Sequence, residues 1–234
     1  MICQRLFGKR CDPLPQNPTS ARVSGFVHQS IPFLSQPLGK YHFTSDTLAL
    51  AEFVRIDPNE SLLDLGTGAA EIPMLVWYRS TFRLAVGVEL QLELVRCARE
   101  NVRRNSLADH VFIIEKDIRE LTTKDFAYFP FDPIPDKFDV ISANPPFHPV
   151  GTGRLSPDLQ RAISRHEICL TLGQLIQVCL RFLAPAGRFY LVNLAERAAE
   201  LRQGLEAGGL ELTREQQVPR NKDRILLESR WRRQ

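Results

Sequence analysis

Ser61-Leu62-Leu63-Asp64-Leu65-Gly66-Thr67-Gly68-Ala69-Ala70 is the stretch on which the reading of this chain turns. A short apolar run closing on an acid reads as a buried strand, and the Gly-Thr-Gly that follows directly reads as a tight turn. Pro73 falls in the first turn of the helix expected next, where a missing N–H costs nothing. Strand, glycine turn and helix are the opening of a parallel βαβ unit. A dinucleotide fingerprint would require another glycine near Ala69, Ala70 and Glu71. Glu71 would also repel a pyrophosphate from the helix N-terminus that normally binds one. The turn therefore predicts a ligand without phosphates.

The pattern repeats outward from this turn. Leu84–Val88 reads as a second strand, ending at the acid Glu89. Residues 91–105 are helical, with Leu92, Val95, Ala98 and Val102 on one face. Val111–Ile114 is a third strand, closing with Asp117, and the proline-bearing segment 122–136 is a loop before a fourth strand, Phe138–Ser142. A helix over roughly 167–183 follows, then the turn Ala184–Gly187, the strand Arg188–Val192 and a helix over 196–207. Leu210–Gln216 and Ile225–Trp231 have no helix between them and should pair antiparallel. Upstream, Ser45 or Asp46 should cap a helix that runs through Phe53. The fold class expected is α/β, a doubly wound, Rossmann-like, seven-stranded, mostly parallel sheet with a C-terminal antiparallel hairpin. Residues 1–37 contain Pro13, Pro15, Pro18, Pro32 and Pro37 and are expected to be an irregular N-terminal extension; 38–234 are expected to form the domain.

Composition narrows the class. A 44% hydrophobic, 24% charged chain of 234 residues can bury a core as one domain. No apolar run approaches the ~20 residues a membrane span needs, and Arg5, Lys9 and Arg10 precede no apolar stretch, so neither a span nor a leader is expected. Cys3, Cys11, Cys97, Cys169 and Cys179 are odd in number and lack CxxC spacing, which suits free thiols in a cytoplasmic protein without a metal site. Both ends are basic, with Arg5, Lys9, Arg10, Arg22 and Lys40 against Asp12, and Arg220, Lys222, Arg224, Arg230, Arg232 and Arg233 against Asp223 and Glu228. Such ends suit a nucleic-acid backbone or are solvated chain.

The chemistry sits at the strand ends. Asp64, Glu89 and Asp117 close successive strands and would line one edge of the sheet, with Glu89 placed 23 residues beyond Gly66 where a ribose-binding acid belongs. Acids there suit a ligand that carries an ammonium, a ribose and an exocyclic amine, as S-adenosylmethionine does. The fourth strand ends in Asn144-Pro145-Pro146-Phe147-His148. The two prolines stiffen the turn and push the residues before them into extended backbone. An exocyclic amine of adenine is a poor nucleophile, because its lone pair is delocalised into the ring. The Asn144 oxygen and the Pro145 carbonyl could accept its N–H groups while Phe147 stacks on the base. His148 reads as a surface histidine rather than a base. Arg154, Arg165 and His166 could form a basic lip toward substrate phosphates.

From about Tyr41 to Trp231 these residues resemble the class I S-adenosylmethionine-dependent methyltransferases, within them the amino-methylating group marked by N/D-P-P-Y/F. The closer resemblance is to the bacterial tRNA(Val) adenine-37 N(6)-methyltransferase family. It rests on Tyr41-His-Phe43-Thr44-Ser45-Asp46-Thr47-Leu48, on Asn144–Phe147, and on Gly151-Thr-Gly153-Arg154-Leu-Ser156-Pro157 with Ala162 and Arg165-His166-Glu167. The resemblance implies that Thr44, Asp64, Gly66, Thr67, Gly68, Glu89, Leu90, Asp117 and Ile118 bind the cofactor. It implies that Asn144, Pro145, Pro146 and Phe147 are catalytic, that Arg154, Arg165 and His166 touch substrate, and that the partner is RNA, a tRNA first of all. Ala70 replaces a common glycine of the family, and Phe147 the more usual tyrosine. Asn-Pro-Pro-Phe-His also resembles the ribosomal RNA guanine-N(2) methyltransferases, and a release-factor glutamine-N(5) methyltransferase needs the same turn. A non-catalytic S-adenosylmethionine-binding module is a further alternative.

Overall fold

Five parallel strands form the body of the molecule, and each leaves its neighbour at the same edge. The computed structural model describes Leu34 and residues 44–127, 129–130, 136–145, 170–219 and 221–233. Strands β1 (Ser61–Leu65), β2 (Leu84–Glu89), β3 (Val111–Glu115), β4 (Phe138–Ala143), β5 (Leu183–Leu194), β6 (Leu210–Val218) and β7 (Asn221–Trp231) lie in one sheet in the order β3-β2-β1-β4-β5-β7-β6. The first five pair in parallel, and β7 runs antiparallel to both β5 and β6. This is the α/β sheet expected from the sequence, including the antiparallel C-terminal strands.

Every residue of β1 and β2 is buried, as continuous apolar strands covered on both faces must be. Leu62, Ala85, Ile113, Val140 and Tyr190 pack under α1 (Ser45–Phe53), α2 (Glu71–Arg79) and α3 (Leu92–Arg104). Leu63, Val86, Ile141, Phe189 and Leu191 face α4 (Leu172–Phe182) and α5 (Ala198–Ala207). Burying each such side chain contributes about 1.5–3 kcal/mol against the entropy of ordering the chain. Among the described residues no helix is long and apolar enough to cross a membrane.

Three local expectations change. The cap of α1 is Thr44, whose hydroxyl accepts the Thr47 N–H, because Asp46 is committed to an ion pair with Arg224 of β7 at 3.1 Å. The Ala184–Gly187 turn lies inside β5: Leu183 pairs with Phe138 and Arg188 with Val140, so the residues between bulge out of register where Pro185 has no N–H for the ladder. The segment before β4 begins with two 3-10 turns, Ile118–Glu120 and Thr123–Phe126, the first capped by Asp117. The extension through residue 33, and with it Pro146, Phe147, Arg154, Arg165 and His166, lies outside the described residues.

The strand order fixes where a ligand can lie. From β1 the chain moves to β2 and β3 on one side, whereas β4, on the other side of β1, leads on to β5. At that reversal the segments leaving β1 and β4 diverge and open a crevice at their carboxyl ends. Gly66 follows β1 and Asn144 follows β4, so both stand at its rim.

Candidate active site

The loop after β1 is folded over β2 by its own backbone, the Gly66 and Thr67 N–H groups both donating to the Val88 carbonyl at 2.9 and 3.0 Å. Gly66 (φ 76°) and Gly68 (φ 60°) adopt the left-handed conformation that glycine takes at no steric cost. Ala70 adopts it too, with φ 65°, and as an L-residue with a Cβ it bears a penalty of about 1–2 kcal/mol. A Cβ placed on Gly66 would meet nothing within 4 Å among the described residues, so their side of the turn leaves room for a ligand. Thr67 points the other way. Its side chain fills the space left by Gly87, where a Cβ would stand 2.7 Å from the Thr67 hydroxyl.

Two buried carboxylates lie beneath this turn. Asp64 is fully buried in β1, and its Oδ1 accepts from Ser142 Oγ of β4 at 2.6 Å, while Oδ2 closes no hydrogen bond among the described residues. Burial raises its pKa to about 6, against the smaller opposing effect of the Ser142 and Thr67 hydroxyls. Glu89, at the end of β2, accepts the Gly68 N–H at 3.0 Å and the Gln91 N–H at 2.8 Å. Burial raises its pKa to about 7, partly offset by backbone N–H groups of Gln91, Gly68 and Leu90, and the nearby Asp64 adds to the rise. Leu90 itself is half-buried, so its N–H is what it brings to this cluster.

The next two loop groups are also held. The Ala69 N–H donates to the buried Glu71 carboxylate at 2.9 Å, and the Ala69 carbonyl accepts from Asn101 Nδ2 of α3 at 2.9 Å. Glu89 and Glu71 thus occupy the Gly68 and Ala69 amides that a phosphate would need. Two desolvated acids with raised pKa values favour a cationic ligand, whose charge would restore their own. The donor set fits a phosphate-free nucleoside carrying positive charge.

Asp117 and Ile118 stand further out. Burial would raise the Asp117 pKa, but the Arg119 guanidinium and backbone N–H outweigh it and the net shift is downward. Asp117 accepts from Arg119 N–H and Nε at 2.9 Å each. The Ile118 side chain is buried in the core beneath α4, which leaves its backbone as the part that can face a ligand.

Across the crevice, half-buried Asn144 follows β4 and donates from Nδ2 to the Thr47 hydroxyl of α1 at 3.0 Å. Pro145 is buried behind it. Thr44, the cap of α1, lies beside Thr47, with 3.4 Å between the two hydroxyl oxygens. The structure therefore brings Asp64, Gly66, Gly68 and Glu89 together on one side, and Asn144, Pro145 and Thr44 on the other. Sequence reading passed over Ser142, Thr47 and Asn101. Asn101 carried a signal, since it lies at helical spacing from Leu94 and Ala98 on the buried face of α3. Ser142 carried none, and Thr47 stood within the Tyr41–Leu48 stretch with no sign of its partner, because both partners are set by tertiary register.

Residues 56–224 match the family described as "Methyltransferase domain". The chain belongs to this methyltransferase-domain family. It is 30% identical over 162 residues to the tRNA1(Val) (adenine(37)-N6)-methyltransferase of Porphyromonas gingivalis, a match that covers 68% of this chain and 60% of that protein. The protein of the same name from Bacteroides thetaiotaomicron is 28% identical over 176 residues, covering 74% of this chain and 68% of that one. The chain thus spans about three fifths of the length of the Porphyromonas relative. Among solved structures, TrmN from Thermus thermophilus superposes with a TM-score of 0.56 at 21% identity, over 80% of this chain and 48% of that one. The ribosomal protein L11 methylase of Lactobacillus delbrueckii subsp. bulgaricus gives 0.56 at 14% identity, over 80% and 78%. At these identities the structural likeness speaks for the fold.

Proposed function

We propose that the protein is an S-adenosylmethionine-dependent N-methyltransferase that modifies an exocyclic adenine amine in tRNA. The observation that carries this reading is the arrangement across the crevice: a glycine turn whose amides are taken by Glu89 and Glu71, over two buried carboxylates, faces a strand-end asparagine with its amide oxygen unused among the described residues. The names of the Porphyromonas and Bacteroides relatives support adenine in tRNA over guanine or glutamine. S-adenosylmethionine supplies, when bound, an electrophilic methyl group on a sulfonium centre.

The chain's own residues do the rest. Asp64 and Glu89 bind the cationic, hydroxyl-bearing ligand as ionised carboxylates, and the open face at Gly66 lets it lie against the backbone. Asn144 Oδ1 and the Pro145 carbonyl accept the N–H groups of the acceptor amine, which draws its lone pair out of conjugation with the ring and toward the methyl group, and the proton that the methylated amine sheds passes to solvent. Phe147 stacks on the base, and Arg154, Arg165 and His166 hold the RNA backbone. Positioning, more than acid–base chemistry, supplies the rate. A test is incubation of the purified chain with methyl-labelled S-adenosylmethionine and, separately, total tRNA, ribosomal RNA and a release factor, followed by digestion and mass spectrometry. Label in N6-methyladenosine of tRNA is expected. Label in N2-methylguanosine, in glutamine or in nothing would reject the reading.

A further inference from the structure

We infer that Thr47 is a positioning residue for the acceptor: its hydroxyl takes the Asn144 amide nitrogen and thereby turns the amide oxygen into the crevice. The inference rests on the role given to Asn144 above. An asparagine amide has two ends of nearly equal shape and opposite hydrogen-bonding character. Presented nitrogen-first, it would oppose the N–H groups of an amine; presented oxygen-first, it accepts them. A strand-end turn by itself does not choose between the two.

The choice is made from α1. Thr47 is 3% exposed, and its Oγ1 receives Asn144 Nδ2 at 3.0 Å across 97 residues of sequence. A hydroxyl can donate as well as accept, so its own proton must be committed elsewhere for the amide to be specified. Either oxygen of the Thr44–Thr47 contact could be the donor, and Thr44 Oγ1 is placed to take the proton. That oxygen caps α1 by accepting the Thr47 N–H at 3.4 Å, and it lies 3.4 Å from Thr47 Oγ1. With its lone pairs facing Thr47 it receives the hydroxyl proton, and the Thr47 lone pairs are left for Asn144. The bonds then run in one direction, from Asn144 Nδ2–H to Thr47 Oγ1–H to Thr44 Oγ1, each polarising the next. The first turn of α1 is itself pinned from β7: Asp46, 5% exposed, accepts from Arg224 Nε at 3.1 Å and Asn221 Nδ2 at 3.4 Å. A flipped amide would set its oxygen against an oxygen whose proton is engaged. Losing this partly buried hydrogen bond corresponds to roughly tenfold in population.

Thr47→Val keeps the shape and removes the hydroxyl; Thr47→Ser keeps the hydroxyl. Thr47→Val should lower kcat by about tenfold or more, with S-adenosylmethionine affinity and the KM for RNA within about twofold of wild type. Thr47→Ser should restore most of the loss. In an Asn144→Ala background Thr47→Val should have no further effect, since Thr47 acts through that amide. An NMR readout works without turnover: the Asn144 side-chain NH2 pair, assigned by its absence in Asn144→Ala, should show one downfield, slowly exchanging proton that is lost in Thr47→Val and kept in Thr47→Ser. Unchanged NH2 signals in Thr47→Val, a Thr47→Ser variant as impaired as Thr47→Val, or an equal loss in the Asn144→Ala background would each overturn the inference. A wild-type chain that methylates no RNA would instead overturn the function proposed above, and the NH2 signals would still decide the role of Thr47.

Discussion

The two sides of the crevice are built on opposite plans. On the β1–β2 side the loop is held at several points: Glu89 takes two backbone amides by direct bonds, Ala69 is clamped at both its N–H and its carbonyl, and Asp64 is anchored to the neighbouring strand through Ser142. All of these partners fall within β1–α3 or on the adjacent β4. On the β4 side Asn144 is held, among the described residues, by one side-chain hydrogen bond that reaches across the fold to α1. The first side is redundant and should fail by degrees. The second has a single point of support and should fail at once.

The largest effect is therefore expected at Asn144. Asn144→Ala should lower single-turnover methyl transfer by about 10²–10³-fold, the scale set by removing one preorganised polar group from a reacting centre. Calorimetry should find S-adenosylmethionine affinity unchanged. A parallel fall in affinity would show that the two sides are one unit. Asp64→Asn should do the reverse, weakening cofactor binding by about 10–100-fold with turnover at saturation largely kept. Turnover lost at saturating cofactor would break the separation from the other direction.

A smaller effect follows from pH. Asp64 and Glu89 have raised pKa values of about 6 and about 7 in the ligand-free fold, so the fold prefers them neutral. Their contribution to stability is fully present below the ordinary carboxylate range and is withdrawn as pH rises through about 6 to 7. A cationic ligand prefers the ionised pair, so its affinity should climb by about tenfold from pH 5 to pH 7.5 and its binding near pH 6 should release protons. Calorimetry in two buffers of different ionisation enthalpy reads that release. Glu89→Gln should flatten the profile, and an equally steep profile in that variant would remove Glu89 from the account. The smallest effect is at Ala70. Ala70→Gly relieves the left-handed backbone but frees the unfolded chain, so stability in urea should rise by no more than about 1 kcal/mol. A loss of stability would mean that the turn needs its methyl group for packing.

The same division governs what could be read from the sequence. The seven strands, the parallel class of the sheet and the closing hairpin followed from local apolar runs and from the missing helix between Leu210 and Trp231, because those signals need no partner. The placing of Asp64, Gly66 and Glu89 at one edge of the sheet was legible for a related reason: an acid or a glycine at a strand end takes its position from its own strand. The cap of α1 was misplaced by one or two residues because Asp46, a good cap in isolation, is taken by Arg224, 178 residues away. The Thr47–Asn144 and Ser142–Asp64 bonds were illegible on the same ground, each depending on which elements the fold makes neighbours. The clamp from Asn101 was within reach, as a polar residue on an apolar helical stripe. Phe147 and the basic residues Arg154, Arg165 and His166 fall outside the described residues, and their roles belong to the function proposed above.

The ion pair between Asp46 and Arg224 has a consequence for how the protein is made. The β1–α3 side draws on residues 61–101 and on Ser142, all of which leave the ribosome well before the chain is finished. The first turn of α1 emerges earlier still, and α1 packs against α2, yet the ion pair that anchors Asp46 reaches to β7, so that anchor cannot form until β7 has emerged and paired with β5. A nascent or C-terminally truncated chain would form the pocket under the glycine turn while its asparagine remained unaligned. On the function proposed above, a variant without Arg224 should lose alignment of Asn144 before it loses the pocket under the glycine turn.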